Sequence, residues 1–151
     1  MAKFLTLNTH SWMEEEQETK LNQLAERILQ EKYDVICLQE VNQLTESEQV
    51  VQAPFYQAVE GAIAIHQDHF AMCLVEKLAE AGLDYHWSWA YNHIGFDIYN
   101  EGVAILSRNP MAPREVLVSE ANDPKDYHTR KVLLAETEVE GQFLTIAYCH
   151  L

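Results

Sequence analysis

The sequence predicts a mixed α/β fold, with two helices in the first half of the chain and only strands in the second half. One observation is the unbroken apolar run at residues 35–38, which is typical of a strand covered on both faces. A second is a single helical stripe of apolar residues before that run. A third is the change after Tyr85 to short strand-like segments without another such stripe.

The first three predicted elements form a βαβ unit. Residues 3–8 predict a short buried strand ending at Asn8, and an acidic run at residues 14–18 then leads into the helix. Acidic residues suit the positive end of a helix dipole, so we assign no chemistry to that run. Two strands joined in this way lie parallel with a right-handed crossover, which predicts that Asn8 and Glu40 lie at the same edge of the sheet. The helical stripe consists of Leu21, Leu24, Ala25, Ile28 and Leu29.

The rest of the chain predicts one more helix and several strands. The helix covers residues 68–81, with Asp68 capping its start and Gly82 its end. Tyr85, Trp87, Trp89 and Tyr91 alternate with smaller or polar residues, which favours core packing of a strand, with base stacking by one of them as an alternative. Further strands are predicted at 103–106 and 114–118, followed by a polar loop at 119–128 and a hairpin of residues 129–139 and 142–150.

Glu40 is the first residue to which we assign a function. It stands at the end of the apolar strand, where α/β sheets commonly place their ligands. Glutamate is depleted from strands and is costly to bury unless it is paired or bound to a metal. The alternative is a side chain that simply reaches solvent where the strand ends.

Charge and cysteine usage restrict the classes of function. The net charge of −14 disfavours nucleic-acid binding through a basic surface, although a bound divalent cation inverts the field locally in a cleft. The three cysteines are far apart in the chain and predict reduced, buried thiols. We find no signal peptide and no run of apolar residues long enough to span a bilayer, so we expect a cytoplasmic protein without stable membrane insertion.

Four segments together resemble the endonuclease/exonuclease/phosphatase superfamily, the group of DNase I, exonuclease III and the neutral sphingomyelinases. The resemblance implies a four-layer α/β sandwich with mixed sheets that hydrolyses phosphoester bonds with a divalent cation, usually magnesium. The segments are Leu7-Asn8-Thr9-His10-Ser11-Trp12, residues 34–41 (DVICLQEV), residues 100–108 (NEGVAILSR) and His150-Leu151.

The same resemblance implies that part of the domain is missing from this chain. Family members are longer, and their second half carries an Asp-x-Asn element and a terminal Asp-His pair, neither of which occurs here. We therefore expect residues 1–151 to be the N-terminal part of the domain and half of the sandwich, with the C-terminal half absent. On its own, this part is expected to be inactive.

The resemblance also implies a role for individual residues. Glu40 as carboxylate ligand and the Asn8 amide oxygen suit Mg²⁺, with Mn²⁺ as an alternative, because Mg²⁺ takes only one or two protein carboxylates. His150 matches the family histidine near the scissile phosphate, and Glu101 is the carboxylate that orients it. Tyr99 lines the phosphate groove, and Arg130 grips a phosphate. The interpretation assigns His10, His93 and His128 to loops.

Three functions remain open at this point. The first is a Mg²⁺-dependent phosphodiester hydrolase of nuclease type, and the second is a sphingomyelinase-like enzyme or phosphatase with the same mechanism. The third is a noncatalytic binding module. The substrate of the first two is a nucleic acid, a nucleotide or a phospholipid head group. Tyr148-Cys149-His150 departs from the Tyr-x-Pro-Asn of the abasic-site endonucleases and disfavours that branch.

Overall fold

A computed structural model of the protein describes residues 1–150, so Leu151 of the His150-Leu151 motif lies outside the described part. The elements follow the predicted order, with a short 3₁₀ turn after the first strand. Neither helix of residues 1–150 has the length and apolarity that crossing a membrane requires. The elements are β1 (Phe4–Asn8), α1 (Gln17–Glu31), β2 (Val35–Leu44), α2 (Phe70–Glu80), β3 (His86–Gly95), β4 (Tyr99–Ser107), β5 (Met111–Leu117), β6 (Lys131–Val139) and β7 (Gln142–Tyr148).

The strands form two sheets. The first sheet has the order β1-β2-β4-β3, and the second has the order β5-β6-β7. β1 and β2 pair in parallel, with Asn8 level with Gln39, and the other strand pairs are antiparallel. The parallel pair joined by α1 confirms the predicted βαβ unit, and the layout confirms a mixed α/β fold.

The first sheet lies between the two helices and the second sheet. Its helix-facing side chains, such as Ile36 and Leu38, join the larger core with both helices and the aromatic residues of β3. Its opposite face contributes Val35, Val103 and Ile105 to a second core shared with β5 and β6. Because β2 and β4 are covered on both faces, a continuous apolar run is the pattern they require.

Several element bounds differ from the predicted ones. β1 was expected to be buried but is an edge strand, and Phe4 is 52% exposed because no strand within residues 1–150 lies beyond β1. β3 and β4 are longer than predicted, so His93 lies in a strand rather than in a loop. The aromatic row does form core, since Tyr85, Trp87 and Trp89 are buried. β3 and β4 are longer because polar residues such as His93 and Asn100 continue these strands at one edge of the sheet.

The start of α2 is capped by His69 and not by Asp68. The His69 Nδ1 accepts a hydrogen bond from the Met72 N–H at 3.5 Å, while an Asp68 carboxylate oxygen accepts the Leu44 N–H at 2.8 Å. The Asp68 side chain therefore links the end of β2 to the start of α2. The His69 ring packs between Trp87 and Trp89, with ring centroids 4.9 and 4.5 Å away.

Two β-bulges flank Gly102 in the middle of the first sheet. In β2 the register shifts between Leu38 and Val41, and in β3 it shifts between Tyr91 and His93. A bulge increases local twist and re-aims the side chains beside it. The backbone of β3 consequently approaches β4 so closely that a Cβ on Gly102 would collide with the Ala90 carbonyl group.

The predicted hairpin between β6 and β7 is confirmed. Glu140 and Gly141 form its turn with φ values of 49° and 79°. Two residues with positive φ match the right-handed twist of the flanking strands.

Substituting Gly102 with alanine should destabilise the chain by about 3 kcal/mol or more, because the collision is with backbone and not with a flexible side chain. The free energy of unfolding in urea measures the effect. Gly61→Ala is the matched control, since that site has φ +74° with open space around it and should cost only about 1–2 kcal/mol. Equal losses for the two variants would contradict the packing argument.

His69 should make the chain less stable in mild acid. Burial lowers the pKa of His69 to about 3, whereas an unfolded imidazole titrates near 6.5. The unfolded chain therefore binds one more proton than the folded chain between these values, so this residue's contribution to stability is lost as the pH falls below about 6.5. His69→Asn retains a capping side chain and should flatten the slope of unfolding free energy against pH by up to about 1.4 kcal/mol per pH unit. An unchanged slope would show that His69 is not the group responsible.

Candidate active site

Six of the residues discussed below come together at one edge of the molecule. The first sheet supplies the carboxyl ends of β1, β2 and β3 and the amino end of β4 at this edge. The loop before β6 reaches this edge, because the Ile94 N–H donates to the Pro124 carbonyl and the Lys131 N–H donates to the Asn92 side chain. β7 ends beside the start of β6. The residues are Asn8, Glu40, His93, Glu101, Arg130 and His150.

Asn8 and Glu40 are in direct contact. The Asn8 Nδ2 donates a hydrogen bond to Glu40 Oε2, and the Asn8 Oδ1 accepts the backbone N–H of His10 at 3.2 Å. The parallel register of β1 and β2 brings the two side chains together, as the βαβ unit predicts. In this arrangement the amide nitrogen, not the amide oxygen, faces the carboxylate.

The backbone of Glu40 is in an unusual conformation. It has φ 55°, in the left-handed region that non-glycine residues rarely adopt, and it lies within the β2 bulge. Hydroxyl groups of the loop after β1 hold this bulge, because Ser11 Oγ donates to the Glu40 carbonyl at 2.7 Å and Thr9 Oγ1 donates to the Gln39 carbonyl at 3.0 Å. A strained conformation that is held by its surroundings supports a functional role for the residue.

Glu101 is a buried carboxylate, only 9% exposed. Its Oε2 lies 3.9 Å from His93 Nε2, and its Oε1 has no hydrogen-bond partner in the described part of the chain. Burial raises the pKa of Glu101, as does the negative charge of Glu40, while the nearby Asn42 amide and the Arg130 guanidinium act in the opposite direction. The Asn42 Nδ2 faces this carboxylate without ordinary hydrogen-bond geometry.

His93 is the site residue that the sequence interpretation missed. It is 8% exposed, lies opposite Glu101 on the neighbouring strand, and is close enough to His150 and Arg130 for their charges to affect its pKa, which burial lowers. The apolar alternation of β3 ends at Tyr91 because Asn92 forms the bulge. The strand continues beyond that break, and a search for alternation on both sides of a possible bulge would have found His93.

Arg130 is held by the loop that precedes β6. Its Nη1 donates to the carbonyl groups of Tyr127 and Thr129, the latter at 3.0 Å. The Thr129 side chain is buried and its Oγ1 donates to the Asp123 carbonyl at 2.7 Å, which closes the loop on itself. The guanidinium is thereby positioned near Glu101 and His93, and these contacts involve only one of its nitrogens.

Tyr99 is at the start of β4, two residues before Glu101, at the same edge of the first sheet as the other predicted site residues. It pairs with Leu44 at the start of β4 and lines a groove of about 480 Å³ with Trp12, Asp68 and Cys73. Asn8, Glu40 and Glu101 do not line this groove. Tyr99 therefore borders this groove at the edge of the sheet where the other site residues lie.

The donor atoms at Asn8 and Glu40 fit a hard divalent cation. No group of three or more His, Cys, Asp or Glu side chains suited to a metal occurs within residues 1–150. Mg²⁺ requires only one or two carboxylates, with water or substrate oxygens completing its coordination. Rotation of the Asn8 amide would turn its oxygen toward Glu40 and supply a second protein ligand.

Comparisons with known proteins agree on one family. The model of the endonuclease/exonuclease/phosphatase family matches residues 12–146. A solved structure of an endonuclease/exonuclease/phosphatase family protein from Leptotrichia buccalis C-1013-b is 33% identical, with a TM-score of 0.87, and the match covers 100% of this chain and 54% of that one. No curated protein gives a significant match.

More distant structures share the fold. The endonuclease/exonuclease/phosphatase from Beutenbergia cavernae DSM 12333 is 18% identical with a TM-score of 0.62, and the match covers 98% of this chain and 37% of that one. D. rerio TDP2, solved with a single-strand DNA product, is 15% identical with a TM-score of 0.57, and the match covers 99% and 46% of the two chains. This chain thus spans about half of its relatives' length or less, and it shares their two-sheet, DNase I-like α/β fold.

Because the backbone of Glu40 is left-handed, we expect glycine to be more stable than alanine at this position, the reverse of the order within an ordinary strand. Glu40→Gly should be more stable than Glu40→Ala by about 1 kcal/mol, because glycine adopts this conformation without steric cost. At Glu136, an exposed position inside β6, the same pair should show the opposite order, with alanine more stable by about 0.5–1 kcal/mol. Urea denaturation of the four variants measures both differences, and the same order at both sites would rule out strain at Glu40.

Proposed function

The chain belongs to the endonuclease/exonuclease/phosphatase family, and on that premise we propose that the whole protein is a divalent-metal-dependent phosphodiester hydrolase of nuclease type. The observation that carries the proposal is the contact between Asn8 and Glu40 at the carboxyl edge of a parallel strand pair. A strained backbone and buried polar neighbours at the same edge support a chemical role over a purely structural one.

The proposed cofactor is Mg²⁺, with Mn²⁺ as an alternative, held by the Glu40 carboxylate and the Asn8 amide oxygen. When bound, such an ion neutralises charge on phosphoryl oxygens and assists the leaving oxygen. Thr9 and Ser11 keep the Glu40 backbone in place through their hydroxyl groups, so the carboxylate is oriented before any ion arrives.

Other residues at the edge act on protons and on the phosphate. His150 is the proposed proton donor or acceptor next to the scissile phosphate, and Glu101 is the carboxylate that orients it. The two hydrogen bonds of the Arg130 guanidinium to its own loop both come from Nη1, so its Nη2 and Nε N–H groups can donate to phosphate oxygens. Tyr99 borders the neighbouring groove, where it can contact a part of the substrate beyond the phosphate.

We propose that residues 1–151 are the N-terminal part of a longer domain. The chain covers 54% of its Leptotrichia relative. β1 and β7 are edge strands, one in each sheet, and a 2.7 Å hydrogen bond between the Thr6 and Tyr148 side chains links them. Phe143 of β7 is 84% exposed. Open strand edges with exposed apolar residues suit a surface that further residues of the domain cover, and without them we expect no normal activity.

Two alternative functions have separate support. A sphingomyelinase-like phospholipid phosphodiesterase or a phosphatase uses the same chemistry, and the net charge of −14 is less unfavourable for a small head group than for duplex DNA. A noncatalytic binding module would retain the fold with an incomplete site.

We propose a cytoplasmic location because Cys37, Cys73 and Cys149 are unpaired and burial raises the pKa of the Cys37 thiol to about 12.

The gene product, including any residues encoded after Leu151, should hydrolyse bis(p-nitrophenyl) phosphate with Mg²⁺. Glu40→Ala should lower turnover by more than about 100-fold, because loss of a direct ligand should exceed the 10–100-fold effect of outer-shell residues. Glu136→Ala, an exposed carboxylate on β6, is the control and should leave turnover unchanged. Full turnover in Glu40→Ala would refute the metal assignment.

The same preparation distinguishes the alternative functions. Single-stranded DNA, duplex DNA and sphingomyelin vesicles are compared as substrates at equal Mg²⁺ concentration. Faster cleavage of DNA supports the nuclease, and faster release of the phospholipid head group supports the sphingomyelinase-like enzyme. Hydrolysis of none of them, including the aryl diester, supports the binding module.

A further inference from the structure

The β3 bulge is what puts a histidine opposite Glu101. Without the bulge, the register that pairs Tyr91 with Gly102 would put Asn92 opposite Glu101, whereas the register shift puts His93 there. The bulge is fastened from outside the sheet, because the Asn92 Oδ1 accepts the Lys131 N–H at 2.9 Å. A bulge that is anchored in this way re-aims one particular side chain, His93, into the site.

His93 and Glu101 face each other across the pairing of β3 and β4. The His93 Nε2 and Glu101 Oε2 are 3.9 Å apart, and both side chains are nearly buried. The His93 Nδ1 and the Glu101 Oε1 make no hydrogen bond of ordinary geometry within the described residues, although the Ile94 backbone is close enough to the His93 ring to raise its pKa and the Asn42 amide faces Glu101. Unpaired buried polar atoms are costly. A small shift of either side chain would bring His93 Nε2 and Glu101 Oε2 within hydrogen-bond distance, which indicates a site that tightens when substrate binds.

The other charged groups around this pair belong to the site as well. The charge of Arg130 affects the pKa of both side chains. His150 and Asp126 affect the pKa of His93, and Glu40 and His10 affect the pKa of Glu101. Glu101 is therefore between the proposed cation ligand on one strand and His93 on the other. A carboxylate in that position needs a fixed orientation to serve His150.

We propose that His93 is a positioning residue, whose Nε2–H holds the Glu101 carboxylate in the orientation that serves His150. The inference rests on the proposed hydrolase function and adds to it a residue that acts through Glu101 without touching the substrate. The proposed pairing requires that the neutral imidazole carries its proton on Nε2, with Nδ1 unprotonated.

Kinetics of the gene product with bis(p-nitrophenyl) phosphate and Mg²⁺ test the positioning role. His93→Phe keeps a ring without a donor and should lower kcat by about 10–100-fold with KM unchanged, as for other residues that orient a catalytic group. His93→Gln supplies an N–H donor and should recover most of that loss. His86→Phe, on the same strand but against Phe55 and away from Glu101, is the matched control and should change kcat less than about 2-fold.

A double-variant cycle separates positioning from general support of the fold. In the Glu101→Gln background, His93→Phe should cause little further loss, because its effect is transmitted through the carboxylate. An equal loss in both backgrounds, or no recovery in His93→Gln, would overturn the proposal.

A measurement that needs no turnover distinguishes failure of this proposal from failure of the hydrolase function. Long-range ¹H–¹⁵N NMR spectra of the 151-residue chain report which imidazole nitrogen of His93 carries the proton. The Nε2–H tautomer, with Nε2 and Nδ1 signals that shift in Glu101→Gln, supports the pairing even if no substrate is hydrolysed. The Nδ1–H tautomer, or signals unaffected by Glu101→Gln, would overturn it even if the enzyme is active.

Discussion

Backbone hydrogen bonds between β1 and β2 keep Asn8 level with Gln39, and the next residue of β2 is the bulged Glu40. The rest of the candidate site depends on this parallel register. A shift by one residue would turn the Asn8 side chain to the opposite face of the sheet, away from Glu40. Thr9 and Ser11 secure the arrangement by bonding the Gln39 and Glu40 carbonyl groups. Parallel pairing thus determines which polar side chains meet, and the loop after β1 determines how rigidly they do so.

β4 is the second organising element, because it separates the proposed cation ligands from His93. Bulges on both neighbouring strands converge on Gly102, where only a residue without a Cβ allows the β3 backbone to come so near. Glu101, the adjacent residue, then faces a side chain from each flanking strand. The two bulges beside Gly102 and the buried polar side chains of Glu101 and His93 therefore belong to the same local structure.

Features that follow from one segment, or from a connection that fixes strand direction, were predictable from the sequence, and features set by tertiary surroundings were not. The apolar run of β2, the stripe of α1 and the turn at Glu140 and Gly141 each follow from local pattern. The exposure of β1 depends on its place at the sheet edge, and the cap at His69 depends on Trp87 and Trp89 beside it. His93 was missed because a bulge interrupts the alternation by which strands are recognised. The contact between Asn8 and Glu40 was predictable because a βαβ unit fixes strand direction.

The most direct test of the shared cation site is a crystal structure of the protein soaked in Mn²⁺, with the ion located by anomalous scattering. We expect one ion at about 2.1 Å from a Glu40 carboxylate oxygen and from the Asn8 amide oxygen, the amide having rotated from its present hydrogen bond to Glu40. An ion bound elsewhere, with the Asn8 nitrogen still donating to Glu40, would contradict it.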